Sequence, residues 1–565
     1  MPEREIPSPE KFYGFQMGAD RKLARWDKIV EYFWLLDKRT DRVKVIELGK
    51  STEGNPFLLA IITSAENMKN LEKISEMSWR IAHPKGLSEK EVENIVKNGR
   101  TVVAITNSIH ASEVGGTQMS SELAYEVATS EEPKFQKIRE NTVLLLFPSF
   151  NPDGNIIVVD WYNKWLGTEY EATSLPRLYH KYTGHDNNRD AFILTQVESQ
   201  LVSKVLYREW LPQAYIDHHH MGGNGARYYI PPFANPVHEK VDPLIWTEQQ
   251  LYGAAMIVNL ERAGKTGNEN AATYPGDFMP TFNYVPCWHN ICGMLTESAS
   301  ARIATPTYVH LHQLTGGRRG RPEYRAQVNF PHPWPGGWWR LRDIVEQQKI
   351  ASLATLEVAA NFREMILKNM YLKAMRSINK GEEEPPYAFV LPPYQHDILT
   401  AHKLLKNLRD LGVEIHLAKK SFTSNGISYP AGSHVIFLSQ PSRPFLLSLL
   451  PRTFYRDSPH TRTSEGAPLA PYDFAAQTLA EFMGVKVVEI EKKFEGDFEE
   501  LETIEFPTGS VEISSGHGYL LDGRLNDSFI AVNRLLKKDI EVLRAEEEVK
   551  IGETTSPSGS FLFGY

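Results

Sequence analysis

Cysteine is nearly absent: Cys287 and Cys292 are the only two in 565 residues, which excludes a disulfide framework. They read as small apolar side chains, and their scarcity fits a reducing compartment. Apolar runs of membrane-spanning length are missing as well, so no membrane partner is expected. Met1-Pro2-Glu3-Arg4-Glu5 lacks a hydrophobic leader. The expectation is a soluble, cytoplasmic protein, with secretion open only if an export signal was trimmed away. Neither sign of charge dominates, since 62 Lys and Arg stand against 70 Asp and Glu, a formal net charge of −8. That balance argues against nucleic acid as a partner. What remains is an ordinary globular composition, 41% hydrophobic and 23% charged, in a chain long enough for about two to four domains.

The chemistry gathers around Thr101–Gly116. Thr101-Val102-Val103-Ala104-Ile105-Thr106-Asn107 is a β-branched, apolar run that predicts a buried strand, and Gly116 to Val127 has helical spacing. His110 and Glu113 therefore sit at a strand-to-helix corner, the place where open α/β sheets bind ligands. An imidazole and a carboxylate three residues apart can reach one cation, and catalytic zinc takes three such donors and keeps one position open. Asn141 to Phe147 predicts a second buried strand, running into Asn151-Pro152-Asp153-Gly154. Three more polar clusters follow: Gly184 to Asp190, the run Asp217-His218-His219-His220 at a strand end, and Thr296-Glu297 leaving another apolar strand. Strands alternating with helices predict an α/β fold with a parallel or mixed central sheet flanked by helices.

The order H-x-x-E, N-P-D-G, D-x-N-R, strand-end His and T-E resembles the zinc carboxypeptidase family typified by carboxypeptidase A, over roughly the first two thirds of the chain. The resemblance implies a mixed sheet with one zinc ion at its strand ends. It also implies hydrolysis of the C-terminal peptide bond of a peptide with a free carboxylate. On this resemblance His110, Glu113 and His219 are the zinc ligands, and Asp153 holds the distal N–H of His110. Asn188 and Arg189 grip the terminal carboxylate of the substrate. Glu297 is the general base that takes a proton from zinc-bound water. Tyr274 is the mobile tyrosine that closes over the substrate. Strand alternation sends His218 and His220 to the opposite face from His219. Plainer alternatives are a core histidine at 110, a turn role for Asp153, an ion pair of Arg189 with Asp186 or Asp190, and a solvated strand end at Glu297.

The family's oxyanion-stabilising arginine has no counterpart after N-P-D-G, where Lys164 and then Arg177 are the next cations. Such a donor typically contributes about 3 kcal/mol. Asp190 stands where many members carry asparagine. The residue at the base of the specificity pocket is expected between Asp277 and Tyr284, with Thr281 or Phe282 favouring an apolar side chain. Three other readings compete: a deacylase of N-acyl amino acids on the same sheet, an amidohydrolase barrel using His218 and His220, and a catalytically inactive peptide-binding protein.

Residues 1–378 are expected to form the catalytic domain, with one long amphipathic helix from Leu341 to Met375, and 379–386 a linker. Residues 387–565 then read as a smaller α/β domain containing a repeat. Asp397 to Lys406 resembles Asp527 to Lys537, each preceded and followed by a strand and then by a hairpin ending in Pro430-Ala431-Gly432-Ser433 or Pro557-Ser558-Gly559-Ser560. This is a βαβ unit used twice, the second copy shortened. The domain resembles the class I glutamine amidotransferase-like domain, of flavodoxin-like type, that follows the peptidase in some large prokaryotic members. No cysteine lies beyond Cys292, so amidotransferase chemistry is excluded there and the domain is expected to be non-catalytic.

Overall fold

A computed structural model describes residues 6–183, 186–277, 281–317, 319–463, 465–470, 478–511, 518–551 and 554–564. Gly184 and His185 of the polar loop, and 278–280 of the expected pocket base, lie outside the described residues. The chain divides into two compact units, Met1–Ser377 with Tyr455–Ala475, and Ile378–Phe454 with Ala476–Tyr565.

The first unit is organised by an eight-stranded sheet. Its strands are β1 (Val43–Lys50), β2 (Pro56–Ile62), β3 (Thr101–Asn107), β4 (Thr142–Phe147), β5 (Ala214–Met221), β6 (Tyr228–Tyr229), β7 (Asn268–Glu269) and β8 (Cys292–Ala299). Across the sheet they run β1-β2-β4-β3-β5-β8-β6-β7. β3 pairs in parallel with β4 and β5, and β5 with β8. The pairs β1–β2, β2–β4 and β6–β8 are antiparallel. This is the mixed sheet that the sequence predicts. Every residue of β3, β4 and β8 is buried, as continuous apolar runs require when both faces are covered. Helix Leu341–Asn361 packs against β3 and between helices Gly115–Thr129 and Pro243–Arg262.

The four central parallel strands end on the same edge of the sheet, so the segments leaving β3, β4, β5 and β8 meet there. The single helix expected over Leu341–Met375 is two helices, Leu341–Asn361 and Arg363–Glu383, broken at Phe362. The second runs through the first residues of the expected linker.

In the second unit the repeat has a topology that the sequence pattern did not specify. Copy one comprises Ala388–Leu391, helix Ile398–Asp410, His416–Ala418, the hairpin Phe422–Ser424 with Ile427–Tyr429, and His434–Phe437. Copy two comprises Tyr519–Leu521, helix Asn526–Leu536, Val542–Arg544, the hairpin Val549–Ile551 with Thr554–Ser556, and Phe561–Phe563. In each, the last strand inserts antiparallel between the first two, so the strands of the βαβ unit are not neighbours. The flavodoxin-like or amidotransferase-like sheet, which is parallel, is therefore corrected to an antiparallel one. In each copy a tight turn precedes the last strand. Gly432 and Gly559 take φ of 86° and 88°, a region open to glycine, and the hydroxyls of Ser433 and Ser560 donate to the carbonyls of Pro430 and Pro557 at 2.8 and 2.7 Å. Among the described residues, Val488–Ile490 and Phe498–Glu500 extend the first copy to five strands, whereas the second has three.

Candidate active site

The corner after β3 is tightly built. Ser108 takes φ 53°, and its hydroxyl donates to the Glu113 carbonyl and accepts from Thr117 N–H at 2.7 and 3.1 Å. Glu113 N–H closes a turn onto the His110 carbonyl at 2.9 Å. Gly115 and Gly116 allow the close approach that follows: a Cβ at Gly115 would lie 2.6 Å from His220 Nε2, and one at Gly116 would lie 2.8 Å from Asn107 Oδ1.

His110 and His219 both turn Nδ1 towards Glu113. His110 Nδ1 lies 2.9 Å from Glu113 Oε1, and His219 Nδ1 lies 3.2 Å from Oε2. The donor atoms of the three residues all lie within 4.8 Å of one another. Each imidazole is backed at its outer nitrogen by a carboxylate: His110 Nε2 meets Asp186 Oδ1, and His219 Nε2 meets Asp217 Oδ2, both at 2.7 Å. Two imidazoles and a carboxylate, with both rings oriented from behind, are the donor set a catalytic zinc site uses. Without a cation the charges settle among themselves. Burial pulls the His110 ring down, but Glu113 and Asp186 outweigh it and raise it to about 9. Burial opposes ionisation of Glu113, yet His110 and His219 hold it well below the usual carboxylate range.

Glu297 stands opposite His219 in the parallel pairing of β5 and β8, and Leu295 opposite Asp217. Its carboxyl is buried and pushed above the usual range, chiefly by desolvation. Tyr274 hydrogen-bonds that carboxylate and packs edge-to-face on Tyr229, with ring centres 4.7 Å apart. His110, Glu113, His219, Glu297, Tyr274, Asn188 and Arg189 all line one cavity of about 270 Å³.

Asp153 is not the partner of His110. Its carboxylate accepts from Ser51 Oγ, Glu53 N–H and Asn55 Nδ2, the last two at 2.8 and 2.7 Å. The N-P-D-G turn supports His110 through the backbone instead. Asn151 Nδ2 donates to the Ile109 carbonyl, and a Cβ at Gly154 would lie 2.4 Å from Ala111 Cβ. The carboxylate role passes to Asp186, which D-x-N-R reading overlooked, and to Asp217, whose signal was the D-x-H register.

Arg189 forms an ion pair with Asp186 at 2.9 Å. Asn188 Oδ1 accepts from Phe282 N–H at 2.9 Å, and its Nδ2 lies 3.3 Å from His219 Nε2. Asp190 faces away, accepting from Thr195 and Gln196 N–H, both at 2.8 Å. Lys164 lies over the rings of Trp161 and Trp165. Among the described residues, Arg189 is the only lysine or arginine that lines the cavity. His218 points to the opposite face, bonded to Thr296 Oγ1 and Ser352 Oγ at 2.6 and 2.9 Å, and His220 Nε2 accepts from Gly115 N–H. That removes the metal pair an amidohydrolase barrel would need.

Residues 29–209 match the zinc carboxypeptidase family model, so a domain of that family occupies this stretch. It contains His110, Glu113, Asn188 and Arg189, while His219, Tyr274 and Glu297 lie beyond the match. No curated protein matches the chain. Among solved structures, a metallo-carboxypeptidase from Burkholderia cenocepacia is 12% identical over 60% of this chain and 68% of its own, with a TM-score of 0.34. Carboxypeptidase A from Helicoverpa armigera is 14% identical over 62% and 74%, with a TM-score of 0.35. A Pseudomonas aeruginosa metallo-carboxypeptidase, in complex with (2-guanidinoethylmercapto)succinic acid, is 13% identical over 59% and 69%, with a TM-score of 0.36.

Proposed function

We propose that this protein is a zinc metallocarboxypeptidase that removes the C-terminal residue of peptides. The observation that supports this best is the convergence of His110 Nδ1, His219 Nδ1 and the Glu113 carboxylate beside Glu297. His110, Glu113 and His219 would hold a zinc ion, which would supply Lewis-acid polarisation of the scissile carbonyl and a lowered pKa for water. The remaining work falls to the chain. Asp186 and Asp217 hold the two rings in the tautomer that leaves Nδ1 free to ligate. Glu297 takes the proton from the attacking water and hands it to the leaving amine, and Tyr274 orients that carboxylate. Arg189, with Asn188 beside it, offers a guanidinium to the terminal carboxylate in exchange for its ion pair with Asp186. The second unit is proposed to be non-catalytic.

The test is zinc content per chain, paired with release of C-terminal amino acids from a mixed peptide library, for the wild type and Glu297→Gln. One zinc in both and release only by the wild type is the expected result. Absence of zinc, or full activity in Glu297→Gln, overturns the reading. One zinc with cleavage of N-acyl amino acids alone transfers the site to the deacylase reading.

A further inference from the structure

Part of the lining of the catalytic cavity is apolar. Leu295 lies two residues before Glu297 on the same face of β8, and Tyr284 and Pro275 line the cavity with it. Thr281 and Asn283 also line it, but the Thr281 hydroxyl is turned onto Asn283 Oδ1, to which it donates at 2.6 Å. Phe282, the other expected base residue, packs its ring against Phe150.

Asn283 is 3% exposed, and its Nδ2 has no hydrogen-bond partner among the described residues. Among the described residues, it is the only one lining this cavity that carries a buried side-chain nitrogen or oxygen without a partner. The backbone holds it in place: a Cβ on Gly293 would lie 2.3 Å from the Asn283 carbonyl, and Cys287 Sγ donates to that carbonyl at 3.6 Å. With Oδ1 accepting from Thr281, Nδ2 is the amide atom left without a partner. A buried N–H without a partner is unfavourable unless a ligand completes it.

We propose that Asn283 Nδ2 is a recognition donor, and that the cavity selects a C-terminal residue whose side chain ends in a carbonyl oxygen, glutamine or asparagine. The proposal rests on the carboxypeptidase reading, in which the released residue occupies this cavity. An aliphatic side chain of the same size leaves Nδ2 unpaired, and a lysine ammonium meets donor with donor.

Two measurements on the zinc-loaded full chain test it. The first is kcat/KM for N-acyl dipeptides ending in glutamine or methionine, and in asparagine or leucine. The second is calorimetric binding of N-acetyl-glutamine, N-acetyl-methionine and N-acetyl-lysine, which needs no turnover. Both are run on the wild type, on the near-isosteric Asn283→Leu, and on Thr281→Val, which releases the amide without removing it. The wild type is expected to favour the amide-tipped member of each pair by about tenfold or more. Asn283→Leu should invert that order, Thr281→Val should narrow it, and lysine should bind no better than methionine. Equal or better handling of methionine and leucine by the wild type overturns the proposal. So does an unchanged preference in Asn283→Leu, the result expected if water alone satisfies Nδ2. Selective binding of N-acetyl-glutamine without peptide cleavage removes the peptidase reading and keeps Asn283. Cleavage with no preference does the reverse.

Discussion

On β5 two adjacent histidines face opposite sides of the sheet, and their surroundings drive their protonation in opposite directions. His219 has Asp217 at one nitrogen and Glu113 at the other, and these carboxylates overcome burial and raise it well above its ordinary value. Among the described residues His218 bonds only to hydroxyls, Thr296 and Ser352, and burial pushes it down to about 3. Hydroxyls serve a neutral ring as donor or acceptor, whereas carboxylates only accept. Residue type is the same and strand position nearly so. The arrangement of carboxylates makes one a candidate ligand and the other a core side chain.

The sharpest way to break the comparison is to truncate each ring in turn. His219→Ala removes one of three donors, so zinc should fall from one per chain to near none, and peptidase activity with it. His218→Ala should keep its zinc but lose about 2–4 kcal/mol of stability, through a buried cavity and the loss of its two hydroxyl partners. Metal analysis and denaturant titration of both variants separate the roles. Zinc loss in His218→Ala alone would exchange them.

The carboxylates behind the rings come next in size. Asp217→Asn and Asp186→Asn should each weaken zinc binding or activity by about 10–100-fold, since each replaces the charged, acceptor-only carboxylate that fixes an imidazole with a neutral amide. Asp153→Asn should leave zinc affinity unchanged and lower the melting temperature, because its carboxylate ties Ser51, Glu53 and Asn55 together. Competition with a chelator of known affinity measures all three. A zinc defect in Asp153→Asn, with none in Asp186→Asn, would restore Asp153 as the partner of His110.

These contrasts also mark what the sequence could carry. β3 and β4 were legible because β-branched and leucine runs have one stable use, and the His110–Glu113 corner because three residues of local spacing bring both donors to one side. The D-x-H register of the family resemblance picked out His219, and strand alternation then set its neighbours apart from it. The carboxylate behind His110 was not legible: Asp153 and Asp186 are both distant in sequence, and local spacing does not say which of them meets the ring. Asn283 was hidden for a related reason, since an unpartnered amide shows only when every neighbour is in place. In the second unit the repeat was visible as a pattern of residues, but the order of its short strands was not, since each pairs over only two to four residues.

The smallest effect is the acid limb of stability. His218 is buried neutral at about 3, against about 6.5 for an unfolded histidine. Between those values the unfolded chain binds a proton at this position that the folded chain refuses, so stability rises with pH across the window and falls as pH drops from about 6.5 towards 3. His219 has the opposite sign in the metal-free protein, since a raised value favours the folded state below about 6.5. Melting of the metal-free protein from pH 7.5 down to 5 should therefore show an acid slope that is shallower in His218→Gln, whose amide cannot titrate. The same substitution should leave the slope due to His219 in place. An acid slope that is equal or steeper in His218→Gln would mean that the ring is charged in the folded state, and the contrast between the two faces of β5 would not hold.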